Sequence, residues 1–299
     1  MPSTADEICE LASAHGLTLD PGTLTFNEAG LDYRVVFATD AHPRQDWVLR
    51  IPRRPDVSAK IDEEKHILDF IRPRLDIAVP DWRIASADLI AYPLLPGSPG
   101  LTLDEDSQPV WHFDVASEEY ARSLAGVIAS LHGLDPEAAA AAGVPTETVD
   151  QTRQRWARDL DRVLDEFRID DDLVSVWRAW IDDDDLWPQR SVFTHGELYP
   201  AHLLLDEEAR IVAALDWTTA KVSDPALDFV CQFLIAPAEC FTATVNEYRD
   251  LTGTSEPNLE ARCSALIASG PLNYALFALQ SGDVEHRASA QAQLSSAPQ

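Results

Sequence analysis

The spacing of hydrophobic positions divides the chain into a mixed first part and a helical remainder. Residues 4–15 place Ile8, Leu11 and Ala12 on one face, which predicts a short amphipathic helix. Thr4 stands where its N-cap belongs, and Glu7 three residues later completes a capping box. Two apolar runs at 31–39 and 47–51, joined by a polar turn, predict a β-hairpin. Residues 58–71 return to helical spacing through Ile61, Ile67, Leu68, Phe70 and Ile71. Further strands are predicted at 81–86 and 89–94. The Pro- and Gly-rich stretch 93–100 then reads as a linker.

Beyond it the period is helical. Tyr120, Leu124, Val127, Ile128 and Leu131 form a stripe along a helix at 116–134. Helices follow at 148–167 and 172–181, then a strand-and-loop unit at 191–216, then helices to about 288. The last eleven residues are small and polar and are predicted to fray. The layout is a two-lobed α+β fold without internal repeats. A small antiparallel-sheet N-terminal lobe, residues 1–95, ends in a hinge, and a larger helical C-terminal lobe covers 96–299.

At 299 residues the chain suits two lobes sharing a cleft, and 45% hydrophobic content supports a sizeable core. The formal net charge of -28 would repel nucleic acid and anionic membrane, so neither is an expected partner, and no protein partner is evident. It would attract divalent cations and amine-bearing small molecules in the cleft, while over the surface as a whole its plain reading is solubility. Cys9, Cys231, Cys240 and Cys263 show no ligand spacing. No stretch resembles a signal peptide or approaches the roughly 20 apolar residues of a membrane span. Free thiols in the cytoplasm are expected.

The chemistry concentrates in 194–206, T-H-G-E-L-Y-P-A-H-L-L-L-D. His195, Glu197 and His202 fit the shape of a kinase catalytic loop, H-x-D-x-x-x-x-N, with Glu for Asp and His for Asn. Asp216 ends an apolar strand fourteen residues after His202. A carboxylate must accept or orient the proton of an attacking hydroxyl, and further ligands must hold the metal ions that neutralise phosphate oxygens. Read alone, His-Gly-Glu is an ordinary polar turn, with His195 bracing it. A hydrolase metal cluster of His195, Glu197 and His202 would match no standard zinc spacing.

The whole stretch resembles the aminoglycoside and macrolide phosphotransferase superfamily, whose loop usually reads H-G-D-L-x-x-x-N. S-D-P-A-L-D-F at 223–229 is similar to that family's D-P-x-x-D element. L-Y-P-A-H, N-E-A-G-L-D-Y at 27–33, V-L-R-I-P-R-R at 48–54 and D-E-E-K-H at 62–66 resemble the macrolide 2′-phosphotransferases within it. The resemblance runs in order over nearly the full chain. It implies a protein-kinase-like fold, Mg²⁺ and GTP as phosphate donor, with ATP as the alternative, and a macrolide antibiotic as acceptor.

Site roles follow from the same resemblance. Glu197 would be the base, with His202 and Asp216 at the metal. With only three lysines in the chain, none on a strand of the first lobe, Arg50 takes the place of the phosphate-positioning cation and Glu64 that of its partner. Asn27 and Gly30 lie in the loop expected over the phosphates. Tyr92, Pro93, Leu94 and Leu95 would be the hinge whose backbone reads the purine. Tyr199, Asp228, Phe229, Tyr274 and Phe277 are expected to line the acceptor end. An aminoglycoside or metabolite kinase, or an inactive nucleotide-binding protein, are the alternatives.

Overall fold

A computed structural model describes residues 4–28, 32–41, 44–104 and 106–295. In chain order the first elements are α1 (Ala5–Ala14), β1 (Thr25–Asn27), β2 (Tyr33–Thr39), β3 (Asp46–Pro52), α2 (Pro55–Ser58), α3 (Ile61–Ile71), β4 (Ile84–Ala85), β5 (Ile90–Pro93), β6 (Ser98–Pro99), β7 (Leu101–Leu103) and β8 (Pro109–Trp111). Then come α4 (Glu118–His132), α5 (Pro136–Ala141), α6 (Val149–Glu166), α7 (Asp171–Asp182), β9 (Val192–Thr194), β10 (Leu203–Leu205), β11 (Ile211–Ala214) and β12 (Lys221–Ser223). Helices α8 (Val230–Ile235), α9 (Ala238–Thr252), α10 (Leu259–Ala268), α11 (Gly270–Ser281) and α12 (Val284–Leu294) finish the chain.

The chain divides into two compact units. The first comprises 1–127, 141–144 and 199–220, and the second 128–140, 145–198 and 221–299. In the first, an antiparallel sheet runs in the order β1-β2-β3-β5-β4. The predicted hairpin is its centre, β2 pairing β3 from Tyr33↔Pro52 to Thr39↔Asp46. Ile8 and Ala12 of α1 join Val36, Ala38, Leu49, Ile51 and Ala91 in the core of this unit. Helix α1 starts with the capping box read from Thr4 and Glu7. The helix predicted over 58–71 is broken: Pro55 opens a separate turn, α2, and α3 begins only at Ile61.

Residues 93–100 are not a free linker. Ser98 and Pro99 form β6, which adds to β10 beside β11. Gly97 lies at φ +89°, where an added Cβ would stand 2.7 Å from Val212 Cγ2 and 2.9 Å from the Leu205 carbonyl oxygen. Only glycine fits so close an approach with that backbone.

The second unit is built of helices. Trp156, Leu160 and Val163 of α6 pack with Leu173, Trp177 and Trp180 of α7 and with Leu272 and Ala275 of α11. Trp187 stacks on Trp180 at 5.4 Å between ring centroids. The tail predicted to fray is helical as far as Leu294, because Asp283 caps α12 and Ala290 and Leu294, four residues apart, are fully buried. Residues 296–299 lie outside the described residues.

Candidate active site

In the first unit the site is assembled by strand register and helix period. Arg50 pairs with Val35 on β2 and Ile90 on β5, so Tyr33 and Tyr92, two residues along their strands, share its face of the sheet. The Arg50 guanidinium lies 4.0 Å from the Tyr33 ring centroid and 5.9 Å from that of Trp82. On α3, Glu64 stands three residues after Ile61 and four before Leu68, a carboxylate on the buried face of an amphipathic helix. It accepts a hydrogen bond of 3.0 Å from Arg50 Nη1. Arg50 is 8% exposed and Glu64 2%.

So buried a pair is held by mutual compensation. Burial opposes the charge of Arg50, but Glu64, then Tyr92 and Asp216, outweigh it and hold the guanidinium above its ordinary value. Desolvation pushes Glu64 up from the usual carboxylate range, with Arg50 pulling against it and Asp216 adding to the rise. Burial likewise pushes the Tyr33 and Tyr92 hydroxyls up to about 12. The Trp217 backbone N–H pulls Glu64 in the same direction as Arg50.

The β10–β11 hairpin brings the next two residues together. Leu203 pairs with Ala214, so His202 before β10 and Asp216 after β11 emerge at the same end. The Leu215 N–H donates to the His202 carbonyl at 2.8 Å, and His202 Nε2 lies 3.9 Å from Asp216 Oδ2. Asp216 adopts the left-handed region at φ +57°, uncommon outside glycine. Its Oδ1 accepts from the Thr218 hydroxyl at 2.6 Å. Tyr199 stands edge-on to the His202 ring at 6.0 Å. Among the described residues no group of three or more His, Cys, Asp or Glu is arranged around a metal position. Asp216 and His202 together offer one hard carboxylate and one imidazole. Such a pair could hold a divalent cation whose remaining ligands came from phosphate oxygens and water.

In the second unit β9 pairs with β12, Lys221↔Thr194 to Ser223↔Val192, and the chain leaving β12 turns through Pro225–Asp228. That turn returns Asp228 to the residues that follow β9. Asp228 Oδ2 accepts from the His195 N–H at 3.2 Å and Oδ1 from the Gly196 N–H at 2.7 Å. Gly196 is left-handed at φ +84°, and the Glu197 N–H donates to His195 Nδ1 at 3.3 Å. The loop therefore buries His195 and presents Glu197 at the surface. Burial, and next the Glu197 carboxylate, push the Cys231 thiol up to about 12.

Four of the residues expected at the acceptor end make contacts within the fold. Asp228 is 1% exposed and spends both oxygens on the loop backbone, with His132 Nε2 at 3.2 Å from Oδ2. It anchors the loop. Phe229 is fully buried against His132, Phe241 and Tyr248. Tyr274 and Phe277 stack on each other and on His286, and the Tyr274 hydroxyl lies 2.9 Å from His286 Nδ1. Of the hinge residues, Tyr92 is buried, Pro93 ends β5, and the Leu94 N–H is taken by the Asp46 carbonyl at 2.8 Å, leaving Leu95 just beyond. Asn27 ends the exposed strand β1, and Gly30 lies outside the described residues. His132 and Tyr248 were missed. His132 continues the apolar stripe of α4 four residues after Ile128, and an ionisable residue on a buried face is a signal that could have found it.

A family model described as "Phosphotransferase enzyme family" matches residues 23–259. The chain belongs to this phosphotransferase family. It is 48% identical to the macrolide 2′-phosphotransferase MphH from Brachybacterium faecium, solved as an apoenzyme, over 100% of both chains with a TM-score of 0.90. A macrolide 2′-phosphotransferase of type I is 42% identical over 99% of both chains, again with a TM-score of 0.90. The uncharacterised protein YcbJ of Bacillus subtilis (strain 168) is 39% identical over 94% of this chain and 92% of its own. The family's members share the protein-kinase-like fold, with an antiparallel sheet towards the N-terminus and helices towards the C-terminus, and the chain is a kinase with a hydroxyl acceptor. No helix among the described residues is long and apolar enough to cross a membrane.

Proposed function

We propose that the enzyme transfers the γ-phosphate of a purine nucleotide, GTP by preference, to the 2′-hydroxyl of a macrolide's amino sugar. The observation that carries this reading is the 48% identity with MphH over the whole of both chains. The L-Y-P-A-H segment, with His202 where most of the superfamily has Asn, points the same way.

Glu197, held at the surface end of a loop with a buried backbone, accepts the acceptor's hydroxyl proton. The hydroxyl oxygen bonds to the γ-phosphorus while the bond from phosphorus to the β–γ bridging oxygen breaks, and the electron pair leaves with the nucleoside diphosphate. Arg50, fixed by Glu64 and the Tyr33 ring, presents a preorganised positive charge to the phosphates. Asp216 and His202 would hold Mg²⁺, which when bound offsets charge on the phosphate oxygens. Tyr199, edge-on to His202, would line the acceptor end, and the backbone around Leu95 would read the base.

The test is a panel of macrolides and aminoglycosides offered with GTP and with ATP in the presence of Mg²⁺. Gain of one phosphoryl group by erythromycin and not by kanamycin is expected. Transfer to kanamycin alone would assign the other acceptor class, and GTP and ATP used equally well would remove the nucleotide preference.

A further inference from the structure

Behind His195 and Gly196 a chain of polar side chains closes on itself within the second unit. Its direction can be worked out from the donors. The Arg190 guanidinium only donates, so the Tyr248 oxygen accepts from Arg190 Nη2 at 3.2 Å. The Tyr248 hydroxyl proton then faces His132 Nδ1 at 3.0 Å. With Nδ1 accepting, the ring proton belongs on Nε2, which donates to Asp228 Oδ2 at 3.2 Å. Asp228 in turn receives the His195 and Gly196 N–H groups.

On its other side Arg190 donates to Glu256 at 3.2 Å. The second oxygen of Glu256 takes Arg262 Nη1 at 3.2 Å. Arg262 Nη2 binds Asp224, which caps the short turn that carries Asp228. The circuit therefore begins and ends on one turn. Side-chain exposure is 1% at Arg262 and 3% at Glu256, so water competes little for the bond between them, whereas Arg190 is 40% exposed at the circuit's open end.

We infer that Tyr248 and Arg190 are positioning residues for the loop that carries Glu197, acting through the tautomer of His132. This rests on the proposed role of Glu197. The Tyr248 hydroxyl holds the His132 proton on Nε2, the nitrogen that faces Asp228. Asp228 then keeps a fixed orientation towards two successive loop amides, and Glu197 follows one residue later. Without the hydroxyl, His132 Nδ1 is left buried and unpaired, or the proton moves to it and Nε2 presents a lone pair to a carboxylate. Either outcome loosens the loop without removing a group that touches substrate.

Tyr248→Phe is the probe, since the ring and its edge contacts with His132 and Phe229 remain. With GTP and erythromycin, kcat should fall about tenfold while both KM values stay within about twofold, the signature of a misplaced reacting group. Arg190→Met should lower kcat similarly, and Arg190→Lys, which keeps a donor, should recover part of it. Histidine ¹⁵N NMR of the parent enzyme should show the proton of His132 on Nε2, a readout that needs no substrate and still decides if Tyr248→Phe fails to fold. A His132 proton on Nδ1, or Tyr248→Phe and Arg190→Met both with kcat within twofold of the parent, would overturn the inference. Glu197→Gln in the same assay separates the two ideas: normal turnover there sinks the base assignment, while the NMR result still decides the hydrogen-bond chain.

Discussion

Glu197 reaches one methylene farther than the aspartate usual at its place in the superfamily, a change of about 1.5 Å in a site where positioning governs rate. The loop that bears it is pinned through the His195 and Gly196 backbone amides. Glu197→Gln leaves those two amide bonds to Asp228 in place, keeps the side chain's size and removes the carboxylate's basicity. Turnover should fall by roughly 10²-fold or more with nucleotide affinity little changed, read by steady-state kinetics and calorimetry. At the proposed metal position, the Asp216 carboxylate would be the one hard anionic ligand of the pair. Asp216→Asn should abolish Mg²⁺-dependent nucleotide binding, and His202→Ala should weaken it less. Equal and complete loss in both variants would contradict that ranking.

At the scale of elements, two predictions test the scaffold. Gly97→Ala places a methyl against Val212 and the Leu205 carbonyl at a left-handed backbone position. It should cost about 1–3 kcal/mol in denaturant unfolding, by strain at β6 where it joins β10. Glu147 accepts from Arg155 at 2.8 Å and from Lys221 at 3.3 Å. Burial would raise it, but Lys221 and Arg155 outweigh burial and hold its carboxyl below the usual range. A depressed carboxyl stabilises the fold above its unfolded pKa and loses that contribution as pH falls through the folded value. Glu147→Gln should thus be less stable than the parent at pH 7, by about 1 kcal/mol, and the gap should close below about pH 4.

The elements were legible where a period or a cap carries them. Thr4 with Glu7, the stripe of α4 and the β2–β3 hairpin follow from spacing alone. The Arg50–Glu64 pair was legible only by resemblance, because neighbouring strands set its surroundings: Tyr33 and Tyr92 meet Arg50 through register. The anchoring contacts of Asp228 were not legible for a similar reason. Its partners are amides 32 and 33 residues away and an imidazole 96 residues away, and nothing near Asp228 in sequence announces them. The apolar residues of α11 form a helical stripe of the kind that usually packs in a core, and Tyr274 and Phe277 do pack with His286.

For the molecule as a whole, the net charge of -28 separates the two acceptor classes. A polycationic aminoglycoside would be drawn to such a surface and released as salt screens it. A macrolide, held mainly by apolar burial worth about 25 cal/mol per Å² before ordering costs, should bind with affinity that changes less than about threefold between roughly 0.05 M and 0.5 M salt. Calorimetry of erythromycin at the two salt concentrations measures this. The central claim is chemical, and it is tested most directly by the structure of the product. Erythromycin incubated with the enzyme, GTP and Mg²⁺ and then examined by ³¹P and ¹H NMR should carry one phosphate, on the 2′-oxygen of its amino sugar. Unmodified erythromycin, or a phosphate at any other hydroxyl, would contradict the account.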